Sequence, residues 1–219
     1  MTDAAETLAL PRGRALRLLI FDCDGVLFDS RDANVAFYDA VLANVGLPPL
    51  DETGRRLCYT LSGSQLYERL FGADPALLRR VSQSAQHVDY GPFYPLMHPV
   101  PGLLETLERL ARHCPLALAT NRGRTVDGVV EFFELQRFFG MRVGVLDVAR
   151  PKPAPDILLA CLARAGVRPD ATVYVGDAEI DREAARAARV AYVGVGPESG
   201  ASWVVEGIRE LPALLLTEP

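Results

Sequence analysis

The chain has 219 residues, of which 49% are hydrophobic and 23% charged, and its formal net charge at pH 7 is -5. This composition is typical of a folded globular protein. The acidic balance without a clustered basic stretch argues against a nucleic-acid partner, and no apolar run is long enough to cross a membrane. Four scattered cysteines without a Cys-x-x-Cys pair, behind an N-terminal segment (1–14) that lacks a basic leader, favour reduced thiols and a cytoplasmic location.

The first predicted element is a short apolar run at 16–21, which is typical of a strand covered on both faces. Similar runs occur further along the chain, at 116–119, 142–145, 172–175 and 191–195. Segments with helical apolar spacing separate these later runs, at 125–133, 155–165 and 181–188. Strands that alternate with helices predict an α/β fold with a Rossmann-like parallel sheet and right-handed crossovers.

The segment between the first two strands has a different pattern. Helical spacing extends over 34–45, 65–71 and 75–86, and no run there would extend the sheet. A turn-rich stretch at 91–102 then returns the chain to the strand pattern. We therefore predict a core formed by 1–30 and 98–219, with an all-helical insertion at 31–97.

Polar side chains follow the predicted strands at the edge of a parallel sheet where ligands usually bind. They are Asp22 and Asp24 after the first strand, Thr120 and Asn121 after the second, Lys152 after the third, and Asp177 and Asp181 after the fourth. Carboxylates gathered at one edge repel each other unless a cation joins them. Mg²⁺, which prefers oxygen ligands, is the cation that phosphate chemistry commonly uses, so we predict a magnesium site.

Asp22 and Asp24 are two residues apart, so both point to the same side of an extended strand. One carboxylate can attack a phosphorus atom while the other protonates the leaving oxygen and later activates water. Lys152 is the sole lysine among 23 basic residues, and the others are arginine. A compact ammonium fits between a carboxylate and a phosphate where a forked guanidinium would not.

Four segments together resemble the motifs of the haloacid dehalogenase superfamily of phosphohydrolases. The first is Asp22-Cys23-Asp24-Gly25 with the following Val-Leu-Phe-Asp-Ser, and the second is Leu-Ala-Thr-Asn, ending at Asn121. The third is Pro-Lys-Pro around Lys152, and the fourth is Val-Gly-Asp-Ala-Glu-Ile-Asp, ending at Asp181. The helical insertion is similar to the cap of phosphoglycolate phosphatase-like members. Ala178 departs from the pattern, which usually has a small hydroxyl residue there.

The resemblance implies a role for each of these residues. Asp22 would be the nucleophile that becomes an aspartyl phosphate, and Asp24 the acid/base that also lends its backbone carbonyl to Mg²⁺. Thr120 and Asn121 would hold phosphate oxygens together with Lys152, which also neutralises the nucleophile. Asp22 and Asp177 would ligate the metal. Asp181 would support the waters of the metal or Lys152.

The function expected from this resemblance is hydrolysis of a small phosphorylated metabolite such as phosphoglycolate. A homodimer is a possible oligomeric state. A phosphosugar mutase of the β-phosphoglucomutase type would share the aspartyl phosphate, but 31–34 lacks the histidine that such mutases carry after the first motif. A non-catalytic phosphoryl-receiving module is a remote alternative. The loop at 58–65 is the segment that we expect to select the substrate.

Overall fold

The computed structural model describes residues 9–58 and 61–216. The strands that the sequence predicts pair into a parallel sheet. The chain divides into a core unit, formed by the residues before Asp29 and after His98, and an inserted unit, Asp29–His98. None of the helices in the described part of the chain is both long and apolar enough to span a membrane.

The sheet of the core unit has six parallel strands in the order β5-β4-β1-β6-β7-β8. The strands are β1 (Leu18–Phe21), β4 (Leu116–Ala119), β5 (Met141–Val143), β6 (Thr172–Gly176), β7 (Ala191–Val195) and β8 (Trp203–Val205). β2 (Phe28–Asp29) and β3 (His98–Pro99) form a separate two-stranded sheet. This parallel architecture confirms the predicted fold class.

The central strand β1 sets the position of the site, because Phe21 near its end is level with Leu118 on β4 and Val175 on β6. The residues that follow these three strands therefore emerge at one edge of the sheet. All four residues of β1 are buried, as are those of β4 and β6, so apolar burial on both faces holds the sheet ends in register.

Helices cover the sheet of the core unit: α5 (Leu103–Ala111), α6 (Thr125–Phe132), α7 (Asp156–Ala165), α8 (Glu179–Ala188) and α9 (Leu211–Leu215). Side chains of α7 and α8 pack with those of β1, β4 and β6 in one buried cluster. Tyr174 is the one fully buried residue of that cluster that carries a hydroxyl group. This polar atom in an apolar layer requires a partner, and it finds one at the site described below.

The third predicted strand, 142–145, is wrong at its end, because β5 stops at Val143. The chain turns at Gly144, whose N–H donates to the Asp147 carboxylate at 2.9 Å. A Cβ at position 144 would lie 2.6 Å from the carbonyl oxygen of Arg122, so a side chain there would push this turn away from the neighbouring loop. The turn thus brings the loop after β5 against the loop after β4.

In the inserted unit, the described residues form four α-helices: α1 (Arg31–Ala43), α2 (Glu52–Leu57), α3 (Gly63–Phe71) and α4 (Pro75–His87). They share their own apolar core, which includes Val41, Leu66 and Val81. A short 3-10 helix, Gly91–Leu96, follows them. α1 begins three residues earlier than the predicted 34–45, and α2 was not predicted. The predicted substrate loop 58–65 is wrong at its end, because α3 begins at Gly63 with Ser62 as its N-cap. Tyr59 and Thr60 of that loop lie outside the described residues.

Candidate active site

Asp22 follows β1 directly and remains tied to the sheet, because its N–H donates to the carbonyl of Val175 at 2.9 Å. The residue is buried, and its Oδ1 lies 2.9 Å from the Nζ of Lys152. Among the described residues, Oδ1 accepts no hydrogen bond besides this ion pair. Asp22 is therefore a buried carboxylate fixed by the sheet, with one cation beside it.

Lys152 is buried as completely as any apolar residue of the core, with 1% of its surface exposed. Its Nζ donates to Asp181 Oδ1 at 2.7 Å and to the Tyr174 hydroxyl at 2.9 Å, besides the contact with Asp22. The ammonium is thus surrounded by oxygen atoms from β1, β6 and α8. Such a burial of charge is tolerated only with this degree of pairing.

The side chain of Asn121, a residue predicted to hold phosphate, contacts the backbone of Lys152. The Asn121 Oδ1 accepts from the N–H of Lys152 at 2.9 Å, and its Nδ2 donates to the carbonyl of Lys152 at 3.1 Å. This two-point contact joins the loop after β4 to the Pro-Lys-Pro segment. The neighbouring Thr120 is 1% exposed, and its hydroxyl accepts from the N–H of Arg122 at 3.1 Å.

Asp181 lies in the first turn of α8 and is fully buried. One of its oxygens accepts from Lys152 and from the Tyr174 hydroxyl, while the other accepts from the N–H groups of Asp177 and Ala178 at 3.2 Å each. The bond to Ala178 uses the backbone, so it needs no hydroxyl side chain at that position. Because the lone pairs of Asp181 are used in this way, its geometry suits support of Lys152 rather than metal ligation.

Asp177 approaches the first motif through Gly25. Gly25 has a φ of +77°, and a Cβ at that position would overlap the Asp177 carboxylate. Only glycine combines this left-handed backbone with the room that Asp177 needs. The loop after β1 and the loop after β6 therefore pack directly against each other.

Burial dominates the electrostatics of the acidic residues. It raises the pKa of Asp22 to about 8, although Lys152 opposes the shift. It raises the pKa of Asp177 to about 7, and the charge of Asp181 adds to that effect. Burial alone would lower the pKa of Lys152, but Asp181 and Asp22 outweigh it and raise that pKa above its ordinary value. Lys152 is therefore a permanent cation, whereas the acids need a further one.

The residues present fit a divalent cation. Carboxylate oxygens of Asp22, Asp177 and Asp181 lie within 4.8 Å of one another. Asp22 and Asp177 are the candidate ligands, because both oxygens of Asp181 already accept hydrogen bonds. When all three are ionised, they carry two more negative charges than Lys152 balances, which matches the charge of Mg²⁺. Among the described residues, the buried Oδ1 of Asp22 has the Lys152 ammonium beside it and no other hydrogen-bond donor, so a second cation could share this oxygen.

Two site residues were missed by sequence reasoning. Arg122 holds the Asp24 carboxylate, with Nε to Oδ2 at 2.8 Å and Nη2 to Oδ1 at 2.6 Å. Tyr174 donates from its hydroxyl to Asp181 at 2.7 Å. The available signals were weak: Arg122 comes directly after the second motif, and Tyr174 lies between two valines in the middle of a buried strand.

The comparisons with known proteins agree on one family. Residues 19–195 match the model of the haloacid dehalogenase-like hydrolases. Phosphoglycolate phosphatase 1 of Pseudomonas aeruginosa is 31% identical over 189 residues, which cover 81% of this chain and 68% of the relative. The phosphoglycolate phosphatase of Pseudomonas putida is 32% identical over 194 residues, with 84% and 70% covered.

Solved structures give the same result. A haloacid dehalogenase superfamily hydrolase of subfamily IA from Geobacter sulfurreducens superimposes with a TM-score of 0.76 and 33% identity, covering 94% of this chain and 100% of that one. CbbY from Rhodobacter sphaeroides, solved in complex with phosphate, gives a TM-score of 0.77 at 20% identity, covering 90% and 96%. The second likeness is one of fold alone.

Proposed function

This chain belongs to the haloacid dehalogenase-like hydrolases, and on that premise we propose that it is a Mg²⁺-dependent phosphatase of a small phosphomonoester of the phosphoglycolate type. The observation that carries the proposal is the buried pair of Asp22 and Lys152, 2.9 Å apart at the carboxyl end of the central strand. A nucleophilic carboxylate beside a fixed cation suits attack on an anionic phosphorus centre.

In the proposed reaction, a carboxylate oxygen of Asp22 attacks phosphorus and the bond to the leaving oxygen breaks. Asp24 gives that oxygen its proton, and then takes a proton from the water that hydrolyses the aspartyl phosphate. Lys152 neutralises charge on the nucleophile and on the phosphoryl oxygens. Thr120 would contact a phosphoryl oxygen, and Asn121 would act by holding Lys152 in place through its backbone.

Mg²⁺ would be held by the Asp22 and Asp177 carboxylates and by the backbone carbonyl of Asp24. When bound, it supplies a positive charge that stabilises the transferring phosphoryl group. Asp181 contributes indirectly, because it fixes Lys152 and the N–H groups that open α8. The ligand set is a proposal based on the acidic cluster and on the raised pKa values of Asp22 and Asp177.

We propose that the inserted segment, predicted at 31–97, is the cap that selects the substrate. Its selective part would be the segment 58–65, which includes the start of α3. Substitution of Ser64 in this segment by a bulkier residue should change the ranking of substrates, while the hydrolysis of a small aryl phosphate stays almost unchanged.

Cytoplasmic location and a homodimer also stay predictions. Sedimentation velocity of the purified chain would test whether it forms a dimer.

A panel of phosphate esters tests the proposed reaction. We expect release of inorganic phosphate from phosphoglycolate in the presence of Mg²⁺, together with an acid-stable phosphate on Asp22 that is trapped by rapid quenching. Incubation with β-glucose 1-phosphate distinguishes the phosphatase from a phosphosugar mutase. Formation of glucose 6-phosphate with little free phosphate would favour the mutase, and a long-lived phosphorylated protein without turnover would favour the receiving module.

A further inference from the structure

Arg122 binds both oxygens of the Asp24 carboxylate with two nitrogens of its guanidinium, at 2.8 and 2.6 Å. The Arg122 side chain is 6% exposed, whereas that of Asp24 is 32% exposed. A planar fork matches a carboxylate at two points, so it fixes the plane of the acid as well as its position. A single contact would leave the plane free to rotate.

The backbone and the side chain of Arg122 are both held by contacts outside the loop that carries Asp24. The N–H of Arg122 donates to the Thr120 hydroxyl, and its carbonyl accepts from the N–H of Val145 at 3.1 Å. A third nitrogen, Nη1, lies 3.4 Å from the hydroxyl of Thr125 at the start of α6. The loops after β4 and β5 thus hold Arg122, and Arg122 in turn holds Asp24.

We infer that Arg122 is a positioning residue that orients the Asp24 carboxylate for proton transfer to the leaving oxygen. This inference rests on the proposed function, in which Asp24 is the acid/base. The two contacts fix the plane of the Asp24 carboxylate, and with it the direction in which a proton on that group is delivered. In that step the phosphorus–oxygen ester bond breaks, the phosphoryl group passes to Asp22, and the proton passes from Asp24 to the departing alcohol.

Leaving-group dependence distinguishes orientation of the acid from a structural role. 4-Nitrophenyl, phenyl and benzyl phosphate have similar shapes, but their leaving groups become more basic in that order and need the proton increasingly. Arg122→Lys keeps the charge and loses the fork. We expect its kcat/KM to fall about tenfold to a hundredfold more for benzyl phosphate than for 4-nitrophenyl phosphate, relative to the unmodified enzyme.

The ratio between two substrates is measured on the same preparation, so a partly unfolded variant does not distort it. Arg142→Lys is the matched control, because Arg142 also bonds a carboxylate, that of Asp127 at 2.7 Å, at the surface of the same unit. Its substrate ratio should equal that of the unmodified enzyme. Equal ratios for Arg122→Lys and the unmodified enzyme would overturn the inference.

Asp24→Asn separates this inference from the proposed function. We expect Asp24→Asn to show the same steep dependence on the leaving group, and Arg122→Lys to add nothing to it in the double variant. If kcat/KM of Asp24→Asn does not depend more steeply on the leaving group than that of the unmodified enzyme, Asp24 is not the acid. The inference about Arg122 then fails as well. A steep dependence in Asp24→Asn with a further, additive steepening from Arg122→Lys would leave the acid in place and overturn the role of Arg122 alone.

Discussion

The surroundings of Lys152 explain why lysine stands at this position in a chain that uses arginine at its other 22 basic positions. Its Nζ lies within 2.9 Å of oxygens from Asp22, Tyr174 and Asp181, all of them buried. A small ammonium can direct its three donors into such a cage. A guanidinium is larger, planar and fixed in its donor directions.

Lys152→Arg should therefore lower kcat by roughly a hundredfold or more, although it keeps the charge. It should also lower the melting temperature, because overpacking a full site strains its neighbours. Arg150→Lys is the control: Arg150 is exposed, bonds Asp156 and lies two residues away. Steady-state kinetics and thermal unfolding of both variants are the measurements, and normal turnover in Lys152→Arg would contradict this account of the lysine.

Asp22→Asn should lower turnover by more than about a thousandfold, because an amide cannot act as the nucleophile. The same change should stabilise the metal-free fold at high pH. The pKa of Asp22 is raised from 3.8 to about 8 in the folded state, so its effect on stability is absent below about pH 4 and grows unfavourable as the pH rises to about 8. Asparagine removes that penalty.

The measurement is the difference in melting temperature between Asp22→Asn and the unmodified chain in chelator, at pH about 5 and about 8. We expect the variant to gain at the higher pH. A difference that is the same at both values, or that favours the unmodified chain at pH about 8, would show that burial does not destabilise the Asp22 carboxylate.

The site residues at the strand ends could be predicted from the sequence, because their residue types and order are visible there. The side chains and backbone groups that they contact could not be predicted. Asn121 was predicted as a phosphate ligand, and its two-point contact with the backbone of Lys152 became visible only in the structure. Nothing in the sequence distinguished Arg122 from the other arginines, because its contact with Asp24 joins residues 98 positions apart.

Among the elements, the loop after β1 depends most on a single residue. Gly25 combines a φ of +77° with direct contact to Asp177. Gly25→Ala should cost about 1–2 kcal/mol from the backbone alone. It should also displace Asp177 and so raise the Mg²⁺ concentration needed for half-maximal activity.

Gly140→Ala is the matched control, because a Cβ at position 140 meets no atom within 4 Å. Mg²⁺ titrations of activity and thermal unfolding of the two variants give the comparison. If Gly25→Ala has the Mg²⁺ requirement of Gly140→Ala, the close approach of Gly25 and Asp177 does not matter for the metal.

Elements with a clear apolar run were predicted well: β4 and β7 have the predicted bounds of 116–119 and 191–195. β8 was missed because it is a three-residue edge strand in which Val204 is exposed, so it has no continuous apolar pattern. α2 was missed for a similar reason. It has six residues with a glycine among them, and the Asp51 side chain, which caps it by accepting from Gly54, was its main signal.

In the whole molecule, the acidic cluster couples stability to the metal. Without Mg²⁺, ionisation of Asp22 and Asp177, with pKa values of about 8 and about 7, is unfavourable in the fold. Stability should therefore fall as the pH rises from about 4 to about 8. Since Mg²⁺ competes with protons for these oxygens, its stabilising effect should grow over the same range.

Thermal unfolding with excess Mg²⁺ or with chelator, at pH about 5.5 and about 8, tests this coupling without an assay of activity. The increase in melting temperature on adding Mg²⁺ should be larger at the higher pH. Asp177→Asn should reduce it, and Asp127→Asn, which changes an exposed acid outside the cluster, should not. An equal increase in melting temperature at both pH values would show that Mg²⁺ binding is not coupled to the ionisation of Asp22 and Asp177.

The burial of Lys152 gives the molecule an internal chemical reporter. Reagents that acylate amines attack an uncharged, accessible amino group, and this side chain is 1% exposed and held as a cation between two carboxylates. In the native protein it should resist acylation, whereas in an unfolded chain it becomes an ordinary reactive lysine. Since the sequence has no second lysine, the fraction of peptides labelled at residue 152 counts the molecules in which the site has opened. Pulsed labelling with mass spectrometry would then follow the opening of this one site directly during heating or metal removal.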